Sequence, residues 1–342
     1  MAGFFSTINK VITLMTSAMF MLTSCGVIYD DLEPCNGGAK MRFVYDYNLE
    51  SANAFPAQVD CLTLHIYDAD GNFIRTVTEE SSVLADEDWR MEINLDPGKY
   101  HAVAYGGIAC DKASFAHALT PGTGSNYQNI SMQLKPGEAG TKLHDHFHGA
   151  VDFEINGDAL DYTPVTLRMT KTTNNVRVLL QNINGEPLDS NDFEFSIIDD
   201  NTVLDHTNMP VAGHSTIYNA WRKGHFSTAE TGNPDNAKTD ATVTRADDIR
   251  IGYGDLSTSR LHLSTGARLV VHSNESQKDV LSLPLCTYLA MCNNYDFGDQ
   301  EFLDRCSNYT LALLLGNDNN WIRMEISVAG YTVRINNIDF EK

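Results

Sequence analysis

Apolar and polar residues alternate with period two through most of the chain after residue 40. Met41, Phe43, Tyr45 and Tyr47 are separated by polar neighbours, as are Leu62, Leu64 and Ile66, and then Met91, Ile93 and Leu95. Alternation of this kind predicts strands that bury one face. Residues 100–105, 130–134 and 151–155 continue the series, and the stretch 111–127 reads as loop with one helical turn. Between the strands stand turn signals, Asp68-Ala69-Asp70-Gly71-Asn72 and Asp96-Pro97-Gly98-Lys99. Short strands punctuated by Gly, Pro and Asx turns predict a sandwich or a barrel.

A second block of the same kind starts near Thr163. Val165, Leu167 and Met169 alternate, followed by 176–180, 193–197 and 261–263, and by a hairpin of 268–272 with 279–283 around Asn274. Residues 224–248 are rich in Thr, Asp and Asn and predict an exposed excursion. Residues 288–293 and 300–306 are the best helix candidates, with Asp299 placed to cap the second. Strands are predicted at 309–315, 321–328 and 331–335. The fold class is therefore all-β, as two tandem sandwiches at 41–162 and 163–342 with short helices in the second.

The one long apolar run precedes all of this. Residues 11–22 are nearly all apolar or small and end in Leu22-Thr23-Ser24-Cys25. The run is too short to span a bilayer and suits the apolar core of a signal peptide, although Lys10 is the only positive charge ahead of it. We read residues 1–24 as a lipoprotein signal peptide, with cleavage between Ser24 and Cys25, acylation of Cys25, and residues 25–40 as a tether. Acyl chains bind membranes stably when two or more act together, which a multiply acylated Cys25 supplies.

Composition narrows the function. The chain has 342 residues and a formal charge of −21, spread along its length. An acidic surface argues against nucleic acid, whose phosphates demand Lys and Arg, and suits solubility outside the cell. Of seven cysteines, six remain once Cys25 carries lipid: Cys35, Cys61, Cys110, Cys286, Cys292 and Cys306. An exported compartment permits disulfides, and six cysteines can pair in about 15 ways. We expect Cys292 to pair with Cys306, and Cys35 with Cys61 or Cys110.

Candidate chemistry is sparse. His144, His146 and His148 would share one face of a strand, an arrangement that can bind zinc or copper, yet no fourth ligand stands nearby except Asp145 on the opposite face. A polar strand edge is the plainer account. Asp68, Asp70 and Asn72 resemble the start of a calcium loop, but Phe73 occupies the position that needs Gly, so an Asp-Gly hairpin turn is expected. No nucleophile elbow, zincin motif, phosphate loop or Cys–His pairing stands out. We expect no enzymatic activity, no cofactor and no small-molecule substrate.

Several stretches taken together resemble a known family. Cys25-Gly-Val-Ile-Tyr29-Asp30-Asp31-Leu32-Glu33-Pro34-Cys35 is similar to the start of FimB-type fimbrial anchor lipoproteins of Bacteroidetes. The stretches Tyr67 to Phe73, Leu95 to Tyr100 and Ala104 to Gly107 are similar to the hairpins of that family's first domain. The run Tyr295 to Arg305, then Trp321, Gly330 to Arg334, and Asn337 with Asp339, is the nearest match. The resemblance implies two transthyretin-like sandwiches, an acylated Cys25, the outer membrane with the chain facing outward, and other fimbrial subunits as partners. It also implies joining by strand donation, in which an extended segment fills an open sheet edge. A rival reading is a glycan-binding or adhesin lipoprotein on the same scaffold, with Trp221 and Tyr218 as aromatic candidates, or as ordinary loop packing.

Overall fold

The computed structural model describes residues 37–157, 161–227, 250–316, 320–328 and 330–336. Ser24, Cys25, Cys35, the tether up to residue 36, nearly all of the polar excursion, and Asn337 with Asp339 lie outside the described residues.

The first half contributes β1 (Gly38–Val44), β2 (Leu62–Asp68), β3 (Phe73–Glu79), β4 (Met91–Asn94), β5 (Gly98–Gly106), β6 (Phe115–His117), β7 (Met132–Leu134), β8 (Phe147–Ile155), β9 (Thr163–Arg168) and β10 (Thr170–Lys171). The second contributes β11 (Asn174–Asn182), β12 (Phe193–Asp199), β13 (Val203–Leu204), β14 (Thr216–Asn219), β15 (Arg222–Ser227), β16 (Arg250–Thr258), β17 (Arg268–Ser273), β18 (Lys278–Pro284), β19 (Asn308–Leu315), β20 (Trp321–Val328) and β21 (Tyr331–Asn336). Helix α1 (Phe55–Gln58) precedes β2, while α2 (Leu285–Ala290) and α3 (Asp299–Arg305) follow β18.

Two sandwiches result. In the first, a three-stranded sheet β4-β1-β9 faces a five-stranded sheet β10-β8-β5-β2-β3. Met41, Phe43, Leu62, Leu64, Ile66, Phe147 and Leu167 fill the space between them. In the second, a six-stranded sheet β15-β16-β11-β19-β20-β21 covers a four-stranded sheet β14-β12-β17-β18. Its core includes Val178, Phe193, Phe195, Leu269, Leu311 and Ile326, with α2 and α3 contributing Leu289 and Phe302. A small sheet β13-β7-β6 takes β6 and β7 from the first half and β13 from the second, and so ties the sandwiches together.

Several sequence expectations are corrected. Residues 163–168 do not open the second sandwich. They run parallel to β1, with Ala39 opposite Thr163 and Val44 opposite Arg168, and β10 pairs with β8. The first core therefore closes only near Lys171. The stretch 111–127 contains β6 as well as turns. Residues 261–263 are not a strand; the neighbouring strand is β16, whose glycines blur the alternation. The first long helix of the second half starts earlier than expected, at Leu285, and Gly298, not Asp299, stands at the N-cap of α3. Asp299 instead lies in the first turn, where its charge suits the helix dipole.

Candidate functional site

Within the five-stranded sheet, β2 is covered on both faces. Leu62, Leu64 and Ile66 of β2 point into the first core. The intervening Thr63, His65 and Tyr67 are also buried, because β6 and the loops around it lie over that face. Tyr67, Val103 and Tyr105 join the core of the second sandwich. The seam between the sandwiches is consequently polar and aromatic.

Histidines crowd this seam. His65 Nε2 lies 2.9 Å from His117 Nε2, and His65 Nδ1 lies 2.8 Å from Thr76 Oγ1. A nitrogen-to-nitrogen bond needs one bare ring nitrogen, so both rings cannot be protonated in it. Burial lowers the pKa of His65 to about 3 and of His117 to about 4. Tyr105 packs against His65, His117, His146 and His148 with ring centroids 5.3 to 6.0 Å away. The hydroxyls of Tyr67 and Tyr105 are buried with no hydrogen-bond partner among the described residues.

The three histidines of the 144–148 segment do not converge. His144 Nε2 lies 3.0 Å from Asp60 Oδ1. His146 is fully buried and its Nδ1 bonds Thr172 Oγ1. His148 Nε2 donates to the His206 carbonyl at 3.1 Å. Only His148 belongs to β8, so the single-face arrangement expected of a strand does not form.

The cysteines also pair differently from the expectation. Cys61 is bonded to Cys110, closing a separation of 49 residues. That leaves neither available for Cys35. Cys286, Cys292 and Cys306 are free and buried, so Cys292 and Cys306 do not form the bridge expected of them. Burial pushes the Cys286 thiol up to about 12 and Cys292 up to about 11.

At the turn between β2 and β3, Asp68 Oδ1 accepts from the backbone N–H groups of Asp70 and Asn72 at 2.9 and 2.8 Å, and Gly71 takes φ +82°. This is the Asx-Gly hairpin turn read from the sequence, with no calcium loop geometry. Beside it a groove of about 500 Å³ is lined by Asp68, Lys99, Tyr100, His101, Tyr127, Asp152, Phe153 and Glu154. Tyr100 and Phe153 stack at 5.5 Å, and His101 Nδ1 pairs with Asp152 Oδ1 at 2.7 Å. Sequence reasoning missed this groove, since its members come from three separate strands and a loop. The aromatic candidates it named instead are unavailable or already engaged. Tyr218 is fully buried with its hydroxyl on Asn201 Oδ1 at 2.7 Å. Trp221 is half-buried between Lys142 and Arg222, 5.7 and 5.0 Å from its ring.

Sheet ends supply the remaining surface feature. Among the described residues, β3 and β21 each end a sheet and pair with one neighbouring strand. Among the described residues no helix is long and apolar enough to cross a membrane.

These features define an all-β, two-sandwich protein. Comparison with known proteins agrees. Residues 32–337 match the family of fimbrillin-A associated anchor proteins Mfa1 and Mfa2, and the chain belongs to that family. The family is non-enzymatic in kind and places the chain among fimbrial accessory or adhesin-type proteins at the cell surface. The resemblance read from the sequence is thus borne out. A candidate adhesin of Bacteroides thetaiotaomicron is 36% identical with a TM-score of 0.79, over 90% of this chain and 100% of that one. A candidate polysaccharide-binding protein of the same organism is 28% identical with a TM-score of 0.72, over 88% and 98%. The fimbrial anchor protein Mfa2 of Porphyromonas gingivalis shares the fold, at 16% identity and a TM-score of 0.61 over 87% and 98%. A search of the curated proteins finds no match.

Proposed function

We propose that this protein is a lipid-anchored fimbrial anchor or accessory subunit. In this reading Cys25 becomes the first mature residue after cleavage at Ser24, acyl chains on it hold the chain in the outer membrane, and the segment that follows is a tether. The observation that carries the reading is the family match, which begins at residue 32, just after the Leu22-Thr23-Ser24-Cys25 signal. We assign the first sandwich to the chain up to Lys171 and the second to the remainder. Neighbouring fimbrial subunits join by strand addition at a sheet end, where unpaired backbone N–H and C=O groups accept a further ladder of hydrogen bonds. The ends at β3 and β21 support this. Cells expressing Cys25→Ala test the anchor: the wild type fractionates with outer membranes, and the variant stays unacylated and soluble. Equal membrane association of both forms would overturn it.

A second reading, a surface glycan binder, is favoured by the groove beside Tyr100. A stacked aromatic pair flanked by Asp152, Glu154 and Asp68 offers an apolar face and hydrogen-bond acceptors of the kind a sugar ring uses. Binding on a glycan array that is lost in Tyr100→Ala would establish it; a blank array would remove it.

A further inference from the structure

The corner where β2 begins brings together two sulfurs, an imidazole and a carboxylate. Cys61 Sγ, Cys110 Sγ, His144 Nε2 and a carboxylate oxygen of Asp60 all lie within 4.8 Å of one another. We propose that these four residues form a zinc site when the Cys61–Cys110 disulfide is reduced.

The donor set is that of a closed tetrahedral zinc site, where Zn–S is about 2.3 Å and Zn–N and Zn–O are about 2.0–2.2 Å. Tetrahedral geometry then puts neighbouring donor atoms about 3.3–3.8 Å apart. Asp60 Oδ1 already lies 3.0 Å from His144 Nε2 and 3.1 Å from Cys110 Sγ. Those two separations must open by about 0.3–0.6 Å, and the sulfurs must part to about 3.8 Å, which rotation about Cα–Cβ bonds allows at a Cα–Cα distance of 5.7 Å.

The surroundings suit the metal. Lys112 Nζ holds Asp60 Oδ2 at 2.7 Å, leaving Oδ1 turned toward the sulfurs. The Cys110 backbone N–H lies 2.9 Å from Cys61 Sγ, a donor aimed at a prospective thiolate. The His144 backbone is fixed by Ser114 Oγ at 2.9 Å, and Ser114 is buried. Charge also closes: two thiolates and a carboxylate against Zn²⁺ and the Lys112 ammonium leave the site neutral.

The chemistry balances. Two molecules of a small thiol reduce the disulfide, giving two protein thiols and one small-molecule disulfide. Zn²⁺ then displaces two protons from those thiols. The same two chain positions stay tied in either redox state, by a covalent bond or by a metal.

The test uses the full mature chain, reduced anaerobically with a phosphine, loaded with Zn²⁺, desalted and weighed by native mass spectrometry. We expect one zinc per reduced chain and none on the oxidised chain. His144→Ala and Asp60→Ala should each weaken zinc at least tenfold in competition with a chromophoric chelator, and Cys61→Ser/Cys110→Ser should abolish it. Each single variant is checked in the oxidised state, where an intact disulfide and native circular dichroism show that it folds. Loss of zinc in variants that fold supports the site. No zinc on the reduced wild type, or zinc unchanged in His144→Ala and Asp60→Ala and therefore held by the other thiols, would overturn it.

Discussion

Arg260 grips Asp304 through two parallel hydrogen bonds of 2.8 Å, with both side chains nearly buried. The pair ties the segment after β16 to α3, and the remaining guanidinium nitrogen reaches the Asn208 carbonyl. Removing one partner of a buried pair strands the other charge, at a cost of about 3–5 kcal/mol. Arg260→Ala and Asp304→Ala should each lower unfolding free energy by about that amount in urea titrations. The double replacement Arg260→Met/Asp304→Leu should recover most of it. Losses below about 1 kcal/mol in both single variants would show that the pair contributes little.

The seam histidines make stability depend on pH. His65, His117 and His148 have pKa values of about 3, 4 and 4, lowered by burial, against about 6.5 in an unfolded chain. Below pH 6.5 the unfolded chain therefore binds more protons than the folded one, and stability falls as pH falls. It is fully present above about pH 6.5 and is lost down to about pH 4 or 3. Each site contributes a slope approaching about 1.4 kcal/mol per pH unit. The urea midpoint should drop steadily between about pH 7 and pH 5, and His65→Gln/His117→Gln should flatten that slope. A midpoint independent of pH over this window would contradict the placement of these rings.

Two glycines mark backbone approaches that no side chain tolerates. A Cβ on Gly149 would sit 2.3 Å from the Arg168 carbonyl oxygen, where β8 lies against the end of β9. A Cβ on Gly107, which has φ +83°, would sit 1.9 Å from the Asp145 carbonyl oxygen. Gly149→Ala and Gly107→Ala should each destabilise by at least about 1–3 kcal/mol, read as a lowered thermal midpoint. Gly213, also at positive φ but with open space around it, should suffer only the milder cost of its backbone conformation.

Cysteine mapping separates the observed pairing from the one expected of the sequence. In the native oxidised chain, alkylating reagent should leave Cys286, Cys292 and Cys306 untouched because all three are buried. Denaturant alone should expose these three, and Cys61 and Cys110 should label only after reduction. A peptide linking Cys292 to Cys306 would contradict the structure.

Much of the fold was legible in the alternation. β12 and β19 bury every second residue, as β20 does from Met324 onward, and their positions follow directly from the sequence. β2 and β5 were legible as strands but not in their setting. Thr63 and His65 look like a solvent face and are in fact packed against a second layer. β16 was hidden by Gly252 and Gly254, which depress strand propensity. Gly254 is there because a Cβ would fall 2.6 Å from the Phe195 ring. β9 joined the wrong sandwich because parallel pairing with β1 leaves no local signal. The Asp60, Cys61, Cys110 and His144 corner was out of reach for the same reason: residues 50 and 84 positions from Asp60 meet it only through tertiary packing.

Intact mass measurement of the protein extracted from native outer membranes tests the central claim most directly. The account predicts a chain that begins at Cys25 and carries fatty acyl mass on that residue. A chain that still holds Met1, or one that begins at Cys25 with a bare thiol, would contradict it.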